Sequence, residues 1–207
     1  MGSRIMHAII ANRIAENLSI EDRTSFLVGS VAPDAVSTKN ESHFFKGEVQ
    51  DYTRYIEYQE FLVTYQSERT SPYVLGYYTH LIADDIWLRG FNLPWLRNRM
   101  EADPHLYDVS HQDFRSLNGK LLEHYGCADE LKRLLSHVPD IVDLEEVKRE
   151  DVDAFIPYVL GDMEYDKETI NEDLRLFTMV QIIGYIETSV ELGIMKLEPI
   201  LGKQRIL

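Results

Sequence analysis

Three histidines and two aspartates stand in apolar surroundings within the first 84 residues: His7, Asp34, His43, His80 and Asp84. Two of them share one segment, SPYVLGYYTHLIADDIWLRG, residues 71–90. Helical spacing lines up Tyr77, Leu81, Asp84 and Leu88, and separately Val74, Tyr78, Ile82 and Ile86. A helix apolar nearly all round is a buried one. A carboxylate inside such a helix must be paired or bind a metal, because burying it alone costs several kcal/mol. His80 and Asp84, four apart, share a helical face with Cβ atoms about 6 Å apart. H-x-x-x-D is a two-ligand clip for zinc, and a structural His–Asp hydrogen bond satisfies the same spacing. Asp85 points roughly 100° away and is expected to make a hydrogen bond between helices.

Each of the other residues has a plain structural reading of its own. His7, beside Met6 and before Ala8-Ile9-Ile10, fits a core histidine. Asp34 after Pro33 fits a cap or an Asx-turn. His43, in Ser42-His43-Phe44-Phe45, fits an aromatic anchor for a polar loop. Each structural reading is reasonable singly, but together they leave three histidines and two aspartates in apolar settings. Farther along, His111, Arg115 and Asn118 make one polar stripe, and Phe114, Leu117 and Leu121 make the apolar one. That stripe is either a solvated face or a wall of the site that offers Arg115 to a phosphate. His105, His124 and His137 lie in polar surroundings and are expected at the surface.

The elements that must position these groups are helical. Periodicity and caps predict helices over 3–18, 21–31, 51–66, 72–89, 106–125, 128–136, 151–164 and 169–194. Ser19 with Asp22 is a weak capping-box form, and Asp151 can cap the helix that follows it. No stretch alternates with the period of a strand. The loops GSVAPD, Gly29 to Asp34, and STKNESHFFKGE, Ser37 to Glu48, interrupt the first half, and the second is long enough to suggest function. The polar stretch 138–150 is a connector and a potential sub-boundary. The expectation is an all-α, single-domain, multi-helix bundle over 1–207, with 72–89 as its central helix.

Composition narrows the function. With 21 basic and 35 acidic residues the formal charge is −14, which disfavours duplex nucleic acid as an electrostatic partner. A bound divalent cation can reverse the field locally, so phosphorylated substrates remain open. There is no apolar run of about 18 residues to cross a membrane. The N-terminal stretch reads as an amphipathic helix, not a signal peptide, because Asn12, Arg13 and Glu16 interrupt it at helical spacing. One cysteine, Cys127, allows no internal disulfide. A cytoplasmic location is expected.

The order Met6-His7, Gly29…Pro33-Asp34, Ser42-His43-Phe44 and Gly76-Tyr77-Tyr78-Thr79-His80-x-x-x-Asp84 resembles the bacterial zinc-dependent phospholipase C family. That family shares an all-helical fold with single-strand-specific zinc nucleases. The resemblance covers about the first 90 residues. It implies a carboxylate-bridged zinc cluster, with His7 as the first-helix ligand and Asp34, His43 and His80 on a second ion. Asp84 would be shared between the ions. Two features depart from the family pattern. The chain opens Met1-Gly2-Ser3, where the family's mature N-terminal tryptophan grips a metal. No histidine is followed by glutamate in an H-x-x-x-E pair, the family's third-ion motif. Two zinc ions are therefore expected, with another divalent metal left open, and His111 or Asp113 are the candidates for any third site.

The resulting expectation is a metal-dependent hydrolase of phosphoric esters, diester or monoester, working through a zinc-activated water. Asp34 and Asp84 are the carboxylates at its catalytic centre, and Arg115 and Lys46 are cations available to the phosphoryl group. Its partner is a small-molecule ester, without duplex nucleic acid or stable membrane insertion. An HD-type phosphohydrolase is a second reading, although the adjacent His-Asp pair it needs does not occur. A helical scaffold that keeps a metal without activity is a third.

Overall fold

The computed structural model describes residues 3–136, 138–139, 141–166 and 168–202, and its regular structure is nearly all helical. Ser3 caps helix α1 (Arg4–Asn17), its hydroxyl accepting from the Met6 N–H. Asp22, not Ser19, caps α2 (Arg23–Val31), accepting from the Ser25 backbone. Ser19 lies instead in a tight turn with φ of 47°. Pro33 sits in a 3-10 turn, Ala32–Ala35, that ends this second helix. The short α3 (Lys39–Ser42) leads to His43.

The helix expected over 51–66 is only partly present. Phe45–Lys46 (β1) and Tyr55–Ile56 (β2) form a small antiparallel hairpin, pairing Phe45 with Ile56, and the helix α4 is confined to Tyr58–Thr64. Asp51 turns its carboxylate onto the Thr53 N–H and hydroxyl, so this stretch forms a turn and not a helical one.

Helix α5 (Pro72–Trp87) is the central element, with 14 of its residues buried. It runs on as a π-helical stretch, Leu88–Leu96, containing Gly90 and Pro94, and then as α6 (Arg97–Ala102). Next come α7 (His105–Tyr125) and α8 (Ala128–Leu134). In the connector 138–150, Leu144 and Val147 are fully buried. Asp151 accepts from the Lys148 N–H at the start of α9 (Arg149–Gly161). The last expected helix starts later than 169. A 3-10 turn (Thr169–Asn171) precedes α10 (Met179–Leu201), which Thr178 and Gln181 cap reciprocally.

Two glycines decide how the centre packs. A Cβ on Gly29 would lie 2.0 Å from the Tyr73 carbonyl, and one on Gly76 would lie 1.9 Å from the Phe26 carbonyl. The backbones of α2 and α5 therefore meet directly. Apolar side chains from α1 through α10 join one buried cluster around that contact.

Candidate metal centre

The close approach of α2 and α5 sets the first ligand-like group. Ser30 is in the last turn of α2, where carbonyls have no partner farther along the helix. Its carbonyl lies 2.7 Å from His80 Nδ1, so that nitrogen carries the proton and donates it. His80 Nε2 is then left with its lone pair facing inward.

His43 is oriented by a relay of the same kind. The Ser42 hydroxyl donates to the Pro33 carbonyl at 2.9 Å. With its single proton used, it accepts from His43 Nδ1 at 2.9 Å. Tyr77 of α5 holds the loop by donating to the Ser42 carbonyl at 2.6 Å. His43 is fully buried, stacks on Phe45 and presents Nε2 to the centre.

The two inward nitrogens, His43 Nε2 and His80 Nε2, stand 3.2 Å apart. Two lone pairs cannot face each other at that distance, so a cation must lie between them: a proton or a metal. Asp84 closes the group with its oxygens divided. Oδ2 lies 3.3 Å from His43 Nε2 and 3.5 Å from His80 Nε2, while Oδ1 lies 3.3 Å from His7 Nε2. Asp34 Oδ1 approaches His43 Nε2 at 3.6 Å. His7, from α1, stacks on His80 with ring centroids 3.8 Å apart.

These residues are thus gathered at one point. His7, His43, His80 and Asp84 are almost wholly buried, and Asp34 is about a fifth exposed. Neither nitrogen of His7 nor either oxygen of Asp84 has a hydrogen-bond partner of proper geometry. Buried polar atoms left in that state are costly. The spacings match those of ligands around tetrahedral zinc, which sit about 3.3–3.6 Å apart when each is 2.0–2.2 Å from the ion. The donor chemistry and the unsatisfied atoms both fit a metal. Among the described residues, His7, Asp34 and His80 form one group able to hold an ion, and His43, His80 and Asp84 another.

The metal-free site is a tightly coupled cluster of charges. Burial, then the neighbouring His7, pushes the His80 pKa down to about 4, against the pull of Asp84. Burial also disfavours the charged form of His43, but its contacts with Asp34 and Asp84 outweigh that and raise its pKa. Burial alone would raise both aspartates. Instead His43, His80 and Lys39 hold Asp34 well below the usual carboxylate range, and His43, His7 and His80 help do the same for Asp84.

A cleft of about 520 Å³ opens above this centre, with Asp34 in its lining. The stripe of His111, Arg115 and Asn118 on α7 forms one wall. Arg115 has no carboxylate partner among the described residues; its Nε reaches only the His111 carbonyl, at 3.4 Å. Asp113 is unavailable as a ligand, because its oxygens accept from the Arg175, Leu176 and Phe177 N–H groups. Lys46 is directed elsewhere: it pairs with Glu60 at 2.7 Å and lines a different surface pocket. Lys39 takes the place at the cleft that was expected of Lys46, donating to Asp34 Oδ1 at 2.7 Å and to its carbonyl at 3.0 Å. Lys39 carries no periodic signal, since its helix, α3, is only four residues long. Arg4, also in the cleft, pairs with Asp162 at 2.7 Å. Asp85 accepts from the Ile56 N–H and from Arg89, so it ties α5 to the hairpin and to its own next turn instead of to another helix. His105 and His124 are exposed as expected, and His137 lies outside the described residues.

A chain that is nearly all helical and gathers three imidazoles and two carboxylates at one buried point has the make-up of a helical metalloprotein. The family model for zinc dependent phospholipase C matches residues 6–175, and the chain belongs to that family. At the family level it is a zinc-dependent hydrolase of phosphoric esters. Comparison with curated proteins and with solved structures gives no match.

Proposed function

We propose that this chain hydrolyses a small phosphoric ester at a two-zinc centre held by His7, Asp34, His43, His80 and Asp84. The observation that carries the reading is the division of Asp84, with one oxygen toward His7 and the other toward His43 and His80. His80 has only Nε2 to offer, because Ser30 occupies Nδ1. It can therefore serve only one of the two groups it belongs to, and its 3.2 Å approach to His43 Nε2 favours the group with His43 and Asp84 Oδ2, leaving Oδ1 to the His7 side. Asp34 reaches from the cleft toward His43 and would complete the second group. Zinc bound here supplies water acidified to near neutral pH and a positive field for the phosphoryl oxygens.

The chain's own residues do the rest. Ser30 and Ser42 fix both imidazoles as neutral donors with Nε2 inward. Burial keeps bulk water from four of the five ligands, which strengthens the field at the centre. Arg115 stands on the facing wall, where its planar guanidinium can take two oxygens of a phosphoryl group. Lys39 adds a second positive charge beside Asp34. No helix among the described residues is long and apolar enough to cross a membrane.

The test uses bis(4-nitrophenyl) phosphate and 4-nitrophenyl phosphate with zinc-loaded and chelator-treated protein. Turnover that follows the metal and a raised KM in Arg115→Gln are expected. Tightly held zinc without turnover on either ester would favour the scaffold.

A further inference from the structure

A second groove, of about 570 Å³, neighbours the cleft, with Lys39 lining both. That volume is in the range of small-molecule sites. Its walls include Val49, Leu88, Met100 and Pro104. Its basic groups are Lys39, Arg54 and Arg97, against the single carboxylate of Glu101. Arg97 pairs with Glu101, and Lys39 with Asp34. Arg54 has no ion pair among the described residues: it donates to Asn40 and lies 4.0 Å over the Phe45 ring. In a chain of net charge −14, an unpaired guanidinium in a mostly apolar groove is a local reversal of sign. The ring beneath it is the one on which His43 stacks, so the groove and the metal centre share a wall.

The backbone gives an independent reason to regard this groove as a site. The helix carrying His80 and Asp84 changes to π geometry at Leu88, and both Leu88 and Asn92 of that stretch line the groove. π segments are rare and concentrate at functional sites. Here the widened turn begins four residues after Asp84 and brings Leu88 and Asn92 to the cavity next to the cleft.

We infer that the groove holds one arm of the substrate, an apolar group that ends in an anion, with Arg54 as the residue that selects it. The ester phosphorus would lie on the Asp34 side of Lys39, the apolar part along Leu88 and Met100, and the terminal anion at Arg54. This placement rests on the reading of the metal centre as the ester-cleaving site; the groove's own preference does not.

Binding is therefore tested without turnover. The probes are 1-decanesulfonate, an anion that is a poor zinc ligand, and 1-decanol, its neutral counterpart, titrated calorimetrically into zinc-loaded protein. The sulfonate is expected to bind about tenfold tighter than the alcohol, the scale of one charged hydrogen bond. Arg54→Gln should abolish that difference while decanol still binds, and Arg54→Lys should restore part of it. Circular dichroism checks that each variant is folded. Arg115→Gln, in the neighbouring cleft, should leave the sulfonate preference intact. Equal affinity for the two probes, or a preference that survives Arg54→Gln or is lost with Arg115→Gln, would overturn the inference. Sulfonate binding as described in a protein that cleaves no ester supports the groove and removes the hydrolase. Ester cleavage without a sulfonate preference removes the groove's role and leaves the hydrolase standing.

Discussion

The Ser42 hydroxyl has one proton, and the Pro33 carbonyl takes it. That small constraint settles the tautomer of His43, as Ser30 settles that of His80. Such outer partners raise ligand basicity and hold ring orientation. Ser42→Ala is therefore expected to weaken zinc binding about 10–100-fold, the usual cost of losing one, measured by competition with a chromophoric chelator. On the proposed assignment protons and metal compete for the same point, which gives a pH signature. In the metal-free protein His43 has a raised pKa, so its stabilising effect is complete below 6.5 and is lost as pH rises through its folded value. His80 is depressed to about 4, so the unfolded chain takes its proton first and stability falls as pH drops from 6.5 toward 4. Asp34 and Asp84, held low, add a further loss as pH falls through their folded values, below 3.8. The metal-free melting temperature should thus peak near 6.5, and zinc should remove the decline on the alkaline side. A flat metal-free profile from pH 4 to 8 would show that these histidines are not coupled as described. The residue types of this site were legible in the sequence, because imidazoles and carboxylates in apolar stretches are conspicuous. Lys39 was not, since it opens a four-residue helix too short to show a period and reaches Asp34 only through the fold. Lys46 was misplaced for the same reason, as Glu60 is opposite it only once the hairpin has formed.

At the scale of elements, the contact of α2 with α5 brings the Ser30 carbonyl to His80, and two glycines permit it. Gly76→Ala would drive a methyl into the Phe26 carbonyl. A loss of about 3 kcal/mol, the upper end of overpacking costs, is expected, with weaker zinc binding as the helices separate. Gly184→Ala is the control. It also lies within a helix but meets nothing within 4 Å, so it should gain about 0.4–1 kcal/mol. Urea unfolding of both variants separates the two effects; equal behaviour would mean that the glycines are incidental. Helix α1, expected as an amphipathic helix, is instead buried without a break from Ile5 through Asn12. Helix α7 was readable because its apolar residues repeat with the helical period, and α5 because it is apolar nearly all round. The expected helix over 51–66 was not, because Asp51 and Thr53 spend their side chains on the local backbone and divert the chain into a hairpin. The late start of α10 follows from Thr178 and Gln181, a capping box that reads clearly only when the cap is known to be Thr178. The π turn at Leu88 carries no periodic signature, although Gly90 and Pro94 mark the stretch as irregular.

At the scale of the whole molecule, a chain of net charge −14 concentrates buried carboxylates and imidazoles at its centre, where several of their atoms lack partners. An ion bound only to the folded state stabilises it by mass action. Removing zinc with a chelator should lower the melting temperature, and adding it back should restore it. Since α1, α2, α5 and α10 share one apolar cluster, unfolding is expected in one transition with or without metal; two separate transitions would divide the chain into units. The most direct measurement is metal content per chain, by elemental analysis of protein purified without chelator or affinity-tag metal. The wild type, Asp84→Asn and Asp85→Asn should be prepared identically. About two zinc ions per chain are expected in the wild type, as in two-metal hydrolytic sites. Asp84→Asn should lose most of the metal, because a neutral amide cannot offset two cations, while Asp85→Asn should keep it even if it costs about 1–3 kcal/mol of stability through a lost buried hydrogen bond. A wild type without bound metal, or an Asp84→Asn protein that keeps its full complement while Asp85→Asn loses it, would contradict the assignment of this centre.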